Sequence, residues 1–266
     1  MVIKVLYAGD SSGLITWYYE SPFLIDFKEF KYYDVGKPLT KALEQAGDIK
    51  VVRMMNWDAY EQFPSTVEEL KEYDVVILSD IEAEILLLHP IFYHPEEWKG
   101  IVKIPNRVKE LVKWIKEGGG LIFAGSWVTF VGRYGRGLWW RTPLGDVLPV
   151  KLKVELIDDR VECPEGAYVK ALKPEHPVME GIPWEECPPF LGYNEVEATD
   201  RGEVLATISP EGEERKDPFI VVGEYHKGRV LVFTSDPVPH WGINFVRWKY
   251  YSKFWQQAVR WSAGQI

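Results

Sequence analysis

Cysteine is scarce in this chain, with only Cys163 and Cys187 among 266 residues. Two thiols are too few for a disulfide framework or for a zinc site built from several cysteines. Cys163 adjoins Pro164 in a predicted loop and Cys187 precedes two prolines, so neither follows a strand or opens a helix as a nucleophile would. We interpret both as reduced structural thiols, which favours a cytoplasmic protein.

An excess of basic residues and long apolar runs are also missing. Lys and Arg total 31 against 40 Asp and Glu, which gives a formal charge of −9. Nucleic-acid binding needs a basic patch, so we expect no nucleic-acid partner. No apolar stretch reaches the roughly 18 residues of a membrane span, and no basic segment followed by an apolar one marks a secretion signal. The sequence therefore predicts no membrane partner.

Amide side chains are few while aromatic ones are abundant. The 4 Asn and 5 Gln are a bias typical of proteins from hot environments. The chain carries 12 Trp and 14 Tyr, a surplus that favours an aromatic-lined cleft or a subunit interface in addition to the core. We therefore expect a homo-oligomer.

Apolar segments alternate with helical patterns in the first half of the chain. These segments are Val2–Ala8, Ile49–Met55, Asp74–Ser79 and Leu121–Gly125. Near-continuous apolar strands separated by helices predict a parallel sheet with right-handed crossovers. The pattern favours a flavodoxin-like three-layer α/β sandwich. No linker is evident, so residues 1–266 are expected to form a single domain.

The regular alternation of strands and helices ends after Arg136. Further strands are predicted over Leu152–Ile157, Glu203–Ile208, Phe219–Tyr225 and Arg229–Ser235. A hairpin turn at His226-Lys227-Gly228 joins the last two, and an aromatic-rich helix over Phe245–Trp261 closes the chain. We therefore expect a mostly parallel sheet with an antiparallel hairpin near the C-terminus.

Two polar features of the first half are candidates for function. Asp10 and Ser11 lie in a polar turn after the first strand, which is either a ligand-facing loop or a plain turn. His89 and His94 each precede a proline, and no carboxylate–histidine pattern lies at metal spacing. We interpret both as loop histidines and expect neither a metal nor a cofactor.

Several motifs, in this order and spacing, resemble the class I glutamine amidotransferase-like superfamily. They are Gly118-Gly119-Gly120 with the following strand, Thr142-Pro143-Leu144 through Val147-Leu148-Pro149, His176-Pro177-Val178, Pro189-Phe190-Leu191-Gly192-Tyr193-Asn194, and the block from Gly228-Arg229-Val230 to His240-Trp241-Gly242. The chain is most similar to the family named "putative glutamine amidotransferase", and more distantly to ThuA-like proteins. The resemblance covers nearly the whole chain and implies the superfamily's fold.

The resemblance also implies which catalytic residues are missing. A glutaminase of this superfamily carries a cysteine on the sharp turn after the fourth strand, where backbone N–H groups favour the thiolate. Here that turn carries Ser126. His240 occupies the place of the partner histidine, and the orienting glutamate two residues beyond is replaced by Gly242. We therefore expect no glutamine hydrolysis by the family mechanism.

Ser126 is the remaining candidate nucleophile, with His240 as its only plausible base. The nucleophile elbow G-x-S-x-G is not formed, because Val128 occupies the final glycine position. A helix cap suits Ser126 better. Gly125 and Trp127 flank it and are expected to contact a ligand.

Asp236 and His240 form the best pair left in the sequence. Both follow a predicted strand on a loop stiffened by two prolines, and Trp241 adds an apolar wall. The pair either lines a pocket for a small polar ligand or secures the loop by bonding backbone groups. Further expected ligand contacts are Arg136 (with Arg133, as an anion site or as surface charges), Tyr193 and Asn194.

Three functions stay open at this point. The first is an amidotransferase-like protein that lacks the glutaminase triad and binds a small polar ligand between Ser126 and the His240 loop. The second is a hydrolase or sugar-modifying enzyme that uses His240 with Asp236. The third is a structural protein whose aromatic surplus forms an oligomer interface. In the first two, His240, Ser126 and the Gly9–Ser12 loop should share one edge of the sheet.

Overall fold

The structure of the protein is a computed structural model that describes residues 2–21, 24–93, 100 and 103–266. His94, predicted as a loop histidine, lies outside these residues. His89 lies outside any helix or strand, and its Nδ1 accepts a hydrogen bond of 3.3 Å from the backbone N–H of Ile91. No helix among the described residues is long and apolar enough to cross a bilayer.

Strands and helices are numbered here in chain order. The strands are β1 (Ile3–Gly9), β2 (Ser11–Ser21), β3 (Leu24–Asp34), β4 (Ile49–Met54), β5 (Val75–Ser79), β6 (Gly120–Ala124), β7 (Val150–Leu152), β8 (Arg160–Ala171), β9 (Phe190–Asn194), β10 (Val196–Ala198), β11 (Glu203–Pro210), β12 (Asp217–Tyr225) and β13 (Gly228–Phe233). The α-helices are α1 (Lys37–Glu44), α2 (Asn56–Gln62), α3 (Val67–Leu70), α4 (Ala83–Leu87), α5 (Arg107–Glu117) and α6 (Tyr251–Ser262).

A nine-stranded sheet forms the centre of the described chain, in the order β4-β1-β5-β6-β13-β12-β11-β8-β9. Its first five strands are parallel. The four parallel strands predicted in the first half are confirmed as β1, β4, β5 and β6. β13 runs parallel to them, as the sequence also predicted, so the carboxyl ends of all five strands lie at one edge.

Helices cover both faces of this parallel region. Alternate residues of β1 point to opposite faces, so Ile3 and Val5 share a core with α1 and α6, while Leu6 and Ala8 share another with α2 to α5. Burial on both faces explains why these strands read as continuous apolar runs. The molecule is a mixed α/β protein with a large central sheet.

The antiparallel part of the sheet is larger than the single hairpin that was expected. β13, β12, β11, β8 and β9 pair antiparallel in succession, so parallel and antiparallel pairings are equal in number. The sequence did not indicate β8, because Pro164 lies inside it at a bulge. Cys163, predicted in a loop, is therefore a buried strand residue.

Two predicted boundaries were wrong. The segment Leu152–Ile157 is not one strand, because β7 ends at Leu152 and Val154–Leu156 forms a 3₁₀ turn. The closing helix begins at Tyr251 instead of Phe245, and Phe245–Arg247 forms a separate 3₁₀ turn. The apolar spacing marked the burial of Phe245 correctly, whereas Val154, Leu156 and Ile157 are exposed.

β2 and β3 form a separate two-stranded antiparallel ribbon, called the arm from here on. Its root is closed by Asp10, whose carbonyl accepts the N–H groups of Val35 and Gly36, each at 3.1 Å. Arg53 secures the same root by bonding Asp34 Oδ1 at 2.8 Å and the carbonyl of Gly9 at 2.6 Å. The sequence gave no sign of a ribbon here.

Candidate functional site

Polar residues follow four adjacent parallel strands at the carboxyl edge of the sheet. Asp10 follows β1, Asp80 follows β5, Ser126 comes two residues after β6, and Asp236 comes three residues after β13. Because these strands are parallel and adjacent, the four side chains converge on one edge. Sequence reasoning named three of them and missed Asp80.

The turn after β1 directs Asp10 inward. Gly9 has a φ of 112°, and a Cβ there would overlap the carbonyl oxygen of Ser79, so only glycine fits. Asp10 then adopts a φ of 43°, and its carboxyl accepts hydrogen bonds from the Tyr7 hydroxyl and, at 3.1 Å, from the Ser79 hydroxyl. Asp10 is fully buried and does not present its carboxyl to solvent as a ligand-facing loop would.

Asp10, Asp80 and Asp236 form a cluster of carboxyls that bind protons tightly. Burial and the charge of Asp236 raise the pKa of Asp10 to about 7. Burial and the charge of Asp10 raise the pKa of Asp80 to about 6. Burial and the charge of Asp80 raise the pKa of Asp236 well above its usual range. Like charges in a poorly solvated site cannot all ionise together, so this edge holds protons near neutral pH.

His240 lies at the outer end of this cluster. Its Nδ1 is 3.1 Å from Asp236 Oδ2, and its side chain is 36% exposed against 2% for Asp236. Partial burial lowers the pKa of His240, against the opposing charges of Asp80 and Glu162. The backbone of His240 has a φ of 152°, a strained conformation of the kind that concentrates at functional sites.

Ser126 is fully buried beneath His240. Its hydroxyl bonds Asp236 Oδ2 at 3.2 Å, the same oxygen that contacts His240. A Ser–His–Asp triad requires the serine to bond the histidine, so the observed order of contacts differs from that of a triad. The backbone of Ser126 is held on both sides by Asn194, which accepts its N–H at 2.9 Å and donates to its carbonyl at 3.1 Å.

Asn194 belongs to the support of the turn and not to its exposed side. It is fully buried and also donates to Asp159 Oδ1 at 3.0 Å. Asp159 accepts the N–H groups of Val131 and Gly132, and burial raises its pKa to about 6. The sequence grouped Asn194 with ligand contacts, whereas the structure connects it to Ser126 and Asp159.

Aromatic rings and guanidinium groups surround the His240 imidazole. The Trp127 ring lies 4.6 Å from it, and the Trp241 ring stacks at 5.8 Å. Arg133 and Arg160 lie over the Trp127 ring at 5.3 and 5.2 Å. Arg160 is neutralised by Asp158 and Glu162, whereas no ion pair to Arg133 is found within the described part of the chain. Trp127 Nε1 is buried and has no hydrogen-bond partner among the residues that the structure describes.

The other predicted contact residues lie elsewhere or serve the backbone. Tyr193 is buried and bonds Asp217 at 2.6 Å. Ser11 accepts the N–H of Asn56 at 2.9 Å at the root of the arm. Arg136 is exposed, and its contact with a ligand stays a prediction. Gly125 is buried, and its N–H bonds the carbonyl of Phe233 at 2.7 Å.

Both cysteines lie in the apolar core away from the Ser126 turn. Burial raises the pKa of the Cys163 thiol to about 11 and that of Cys187 further. A thiol with a raised pKa is a poor nucleophile near neutral pH. Within the ranges that the structure describes, no group of three or more His, Cys, Asp or Glu side chains is arranged to hold a metal ion.

A cavity of about 650 Å³ lies on the arm side of this edge. It is lined by Tyr32, Asn56, Trp57, Tyr60, Glu61, Glu82, Glu84, Ile85 and Leu88. Asn56 connects it to the carboxyl cluster, because its Nδ2 donates to the carbonyl of Asp80 at 3.1 Å. The sequence gave no signal for this cavity, since its lining comes from the arm, α2 and α4.

Comparison with known proteins agrees with this architecture. Cytoplasmic protein STM3548 from Salmonella typhimurium is 32% identical, with a TM-score of 0.86 over 98% of this chain and 99% of that one. Cytoplasmic protein STM1381 from Salmonella typhimurium LT2 is 34% identical, with a TM-score of 0.85 over 98% and 99%. A ThuA-like protein from Parabacteroides merdae shares the fold at 11% identity, with a TM-score of 0.58 over 100% and 92%. No curated protein matches the chain.

A family model also matches almost the entire chain. The model described as "Putative glutamine amidotransferase" covers residues 4–263, which confirms the resemblance seen in the sequence. The chain belongs to this glutamine amidotransferase-like family.

Proposed function

We propose that this protein binds a small polar ligand against His240 and lacks the glutaminase chemistry of its superfamily. The observation that carries the proposal is the contact of 3.1 Å between His240 Nδ1 and the buried Asp236. The carboxyl fixes the ring, so that Nε2 is left to meet a ligand. A strained backbone at His240 indicates that the loop holds this side chain in place for a purpose other than stability.

The surroundings of His240 indicate what kind of ligand fits. Trp127 and Trp241 supply flat apolar surfaces, and Arg133 supplies a guanidinium without an ion pair among the described residues. A pocket of this composition suits a small molecule that carries hydroxyl groups together with a carboxylate. The expected ligand is therefore a small hydroxy acid or sugar acid.

The same dyad supports a second candidate, a hydrolase or sugar-modifying enzyme with His240 as the proton-transfer group. A histidine held by a buried carboxyl through Nδ1 is the usual arrangement of a general base. Ser126 does not fit as its nucleophile, because Ser126 is fully buried and bonds Asp236. In this reading His240 would act directly on water or on a substrate hydroxyl.

One set of variants distinguishes a binding protein from an enzyme. The parent protein is screened by thermal shift against hydroxy acids, sugar acids and neutral sugars, since a ligand that binds only the native state raises the unfolding temperature. The best compound is then tested on His240→Gln and on His226→Gln, an exposed histidine in the turn after β12. We expect a loss of affinity of at least about tenfold in His240→Gln only, roughly 1.4 kcal/mol.

Two results would contradict the proposal. One is a compound bound equally well by His240→Gln and the parent, and the other is a loss of affinity of the same size in His226→Gln. Turnover of the bound compound, followed by NMR and abolished in His240→Gln, would select the enzyme over the binding protein.

Two finer features of the fold and location belong to this proposal. The five parallel strands can be numbered one to five by their order along the chain. Across the sheet they then lie in the order 2-1-3-4-5, which supports a flavodoxin-like parallel half. The Salmonella relatives are described as cytoplasmic proteins, and two buried free thiols suit the same compartment.

A further inference from the structure

The arm exposes large apolar side chains on both of its faces. β3 is exposed at nine of its eleven positions. The large apolar side chains of the arm are 38–67% exposed, namely Leu14, Ile15, Trp17, Tyr18, Tyr19, Leu24, Ile25, Phe27, Phe30, Tyr32 and Tyr33. Because alternate residues of a strand face opposite sides, neither face of the ribbon is polar.

The exposed apolar area of the arm exceeds what a monomer normally carries. A large aromatic side chain offers roughly 150–250 Å², so eleven apolar side chains at about half exposure offer on the order of 1,000 Å². The largest apolar patch of a typical monomer measures roughly 300–600 Å². A standard interface needs about 800 Å² from each partner, so the apolar surface of the arm, summed over both faces, is of the size that interfaces bury.

The two outer edges of the arm differ in charge. β3 carries Asp26, Lys28, Glu29, Lys31 and Asp34, the kind of charges that prevent an edge from pairing. From Ser11 to Tyr19, β2 has no charged residue and no proline. Within the described residues, β2 pairs with β3 and with no other strand, so its outer edge from Ser11 to Tyr19 is available for pairing with a further strand.

We propose that the outer edge of β2 binds the same edge of a second copy of this chain. The two β2 strands pair antiparallel about a two-fold axis, and the two arms form one four-stranded ribbon. Cross-strand neighbours then come within about 4.5–5.5 Å, so the apolar side chains of β2 cover one another at the junction. This inference stands apart from the His240 proposal and uses none of its residues.

Charge explains why the partner is a second copy. The chain has a net charge of −9, so two copies repel except where they meet through neutral segments. The stretch from Ser11 to Tyr19 is neutral, and an antiparallel pairing of a strand with itself satisfies two-fold symmetry. The charged β3 strands lie on the outside of the ribbon, away from the junction.

Cysteine cross-linking tests the junction directly. Single cysteines are placed on β2 at Leu14, Ile15, Thr16, Trp17 and Tyr18, with matched variants Phe27→Cys, Glu29→Cys and Lys31→Cys on β3. A disulfide needs Cα atoms about 4.4–6.8 Å apart, and a two-fold axis places one β2 position within that distance of its own copy. We expect one β2 variant to form a covalent dimer under mild oxidation, while the β3 variants and the parent stay uncross-linked.

The oligomeric state provides the second measurement. Sedimentation equilibrium of the full chain should give a dimer or an even multiple of it. Ile15→Lys should raise the dissociation constant by at least about tenfold, because it places two like charges among the apolar side chains of the junction. Tyr168→Lys, on the exposed face of a strand paired on both sides, should leave the constant unchanged. Circular dichroism should show that every variant keeps the parent fold.

Four outcomes would overturn the proposal, and three of them concern the parent and the cysteine variants. They are a monomeric parent at 100 µM (about the upper end of ordinary assays), an odd-numbered oligomer, and cross-linking through β3 instead of β2. The fourth outcome is an Ile15→Lys variant that dimerises with the same dissociation constant as the parent, which would exclude the β2 edge.

Discussion

Gly242 packs against the carbonyl oxygen of Asp236 so closely that a Cβ at position 242 would overlap it. The same Cβ would lie 2.8 Å from the carbonyl of Val238. The loop that presents His240 therefore folds back on itself at this glycine. The superfamily's glutaminases are expected to carry their orienting glutamate here, and the observed loop has no space for one.

The close approach at Gly242 predicts a stability effect. Gly242→Ala should lower the free energy of unfolding by about 1–3 kcal/mol, because backbone atoms must move to admit the methyl group. Gly145→Ala is the matched control, since the nearest atom to its Cβ would be the Trp139 carbonyl at 3.2 Å. Urea denaturation measures both. Equal losses in the two variants would show that the Gly242 loop adapts freely.

Glutaminase activity should be absent from the parent and from Ser126→Cys. The side chain at position 126 is fully buried and faces Asp236, and position 242 has no space for a glutamate. A coupled ammonia assay with glutamine checks this expectation. The control variants are Cys163→Ala and Cys187→Ala, because ammonia release abolished by either of them would identify a nucleophile outside the Ser126 turn.

Stability should fall as the pH rises from about 4 to about 7. The pKa of Asp10 is raised to about 7 in the folded protein and is near 3.9 in the unfolded chain. The folded state therefore holds the extra proton, so the stabilisation is complete below the unfolded pKa and is lost as the pH passes through the folded one. Each such carboxyl contributes at most about 1.4 kcal/mol per pH unit.

Asp10→Asn tests this effect by removing the titrating group while keeping its shape. Unfolding free energies of parent and variant, measured by urea at several pH values from 4.5 to 8, should differ in slope. Burial lowers the pKa of His89 and His176, which acts in the opposite direction and equally in both proteins. The variant also removes the charge of Asp10 that raises the pKa of Asp80 and of His240. An unchanged slope in Asp10→Asn would mean that Asp10 is ionised in the folded state.

Asn194→Ala should be strongly destabilising without involving any ligand. The substitution leaves the N–H and carbonyl of Ser126 buried without their partner, and we expect a loss of about 2–3 kcal/mol. Asn244→Ala removes a single hydrogen bond to Pro189 and should cost about 1 kcal/mol. Thermal and urea unfolding of the two variants compare them. A smaller loss in Asn194→Ala than in Asn244→Ala would refute the supporting role.

The parallel half of the fold was predictable because its strands are buried on both faces. β1, β5 and β6 are apolar at nearly every position, and such runs admit few alternatives. The antiparallel half was harder to predict, since β8 contains Pro164 and alternates irregularly between buried and exposed positions. The arm lacked any burial pattern because it has no core of its own.

The sequence predicted only those site residues whose positions follow from the order of the strands in the sheet. Ser126, Asp236 and His240 follow from the ends of neighbouring parallel strands, and the structure brings them into contact. Asp80 escaped notice because its role depends on the proximity of Asp10 and Asp236, which sequence spacing does not reveal. Adjacent strand residues face opposite sides, so Asn194 reaches the turn while its neighbour Tyr193 bonds Asp217.

The closed root of the arm separates its length from the rest of the molecule. Ser11 pairs with Asp34, and Arg53 bonds both sides of the root, so the chain enters and leaves the ribbon at one point. Residues can therefore be removed from β2 and β3 in opposing pairs without displacing β1 or α1. Arm length is a parameter that evolution or design can adjust by small deletions while the carboxyl edge of the sheet stays unchanged.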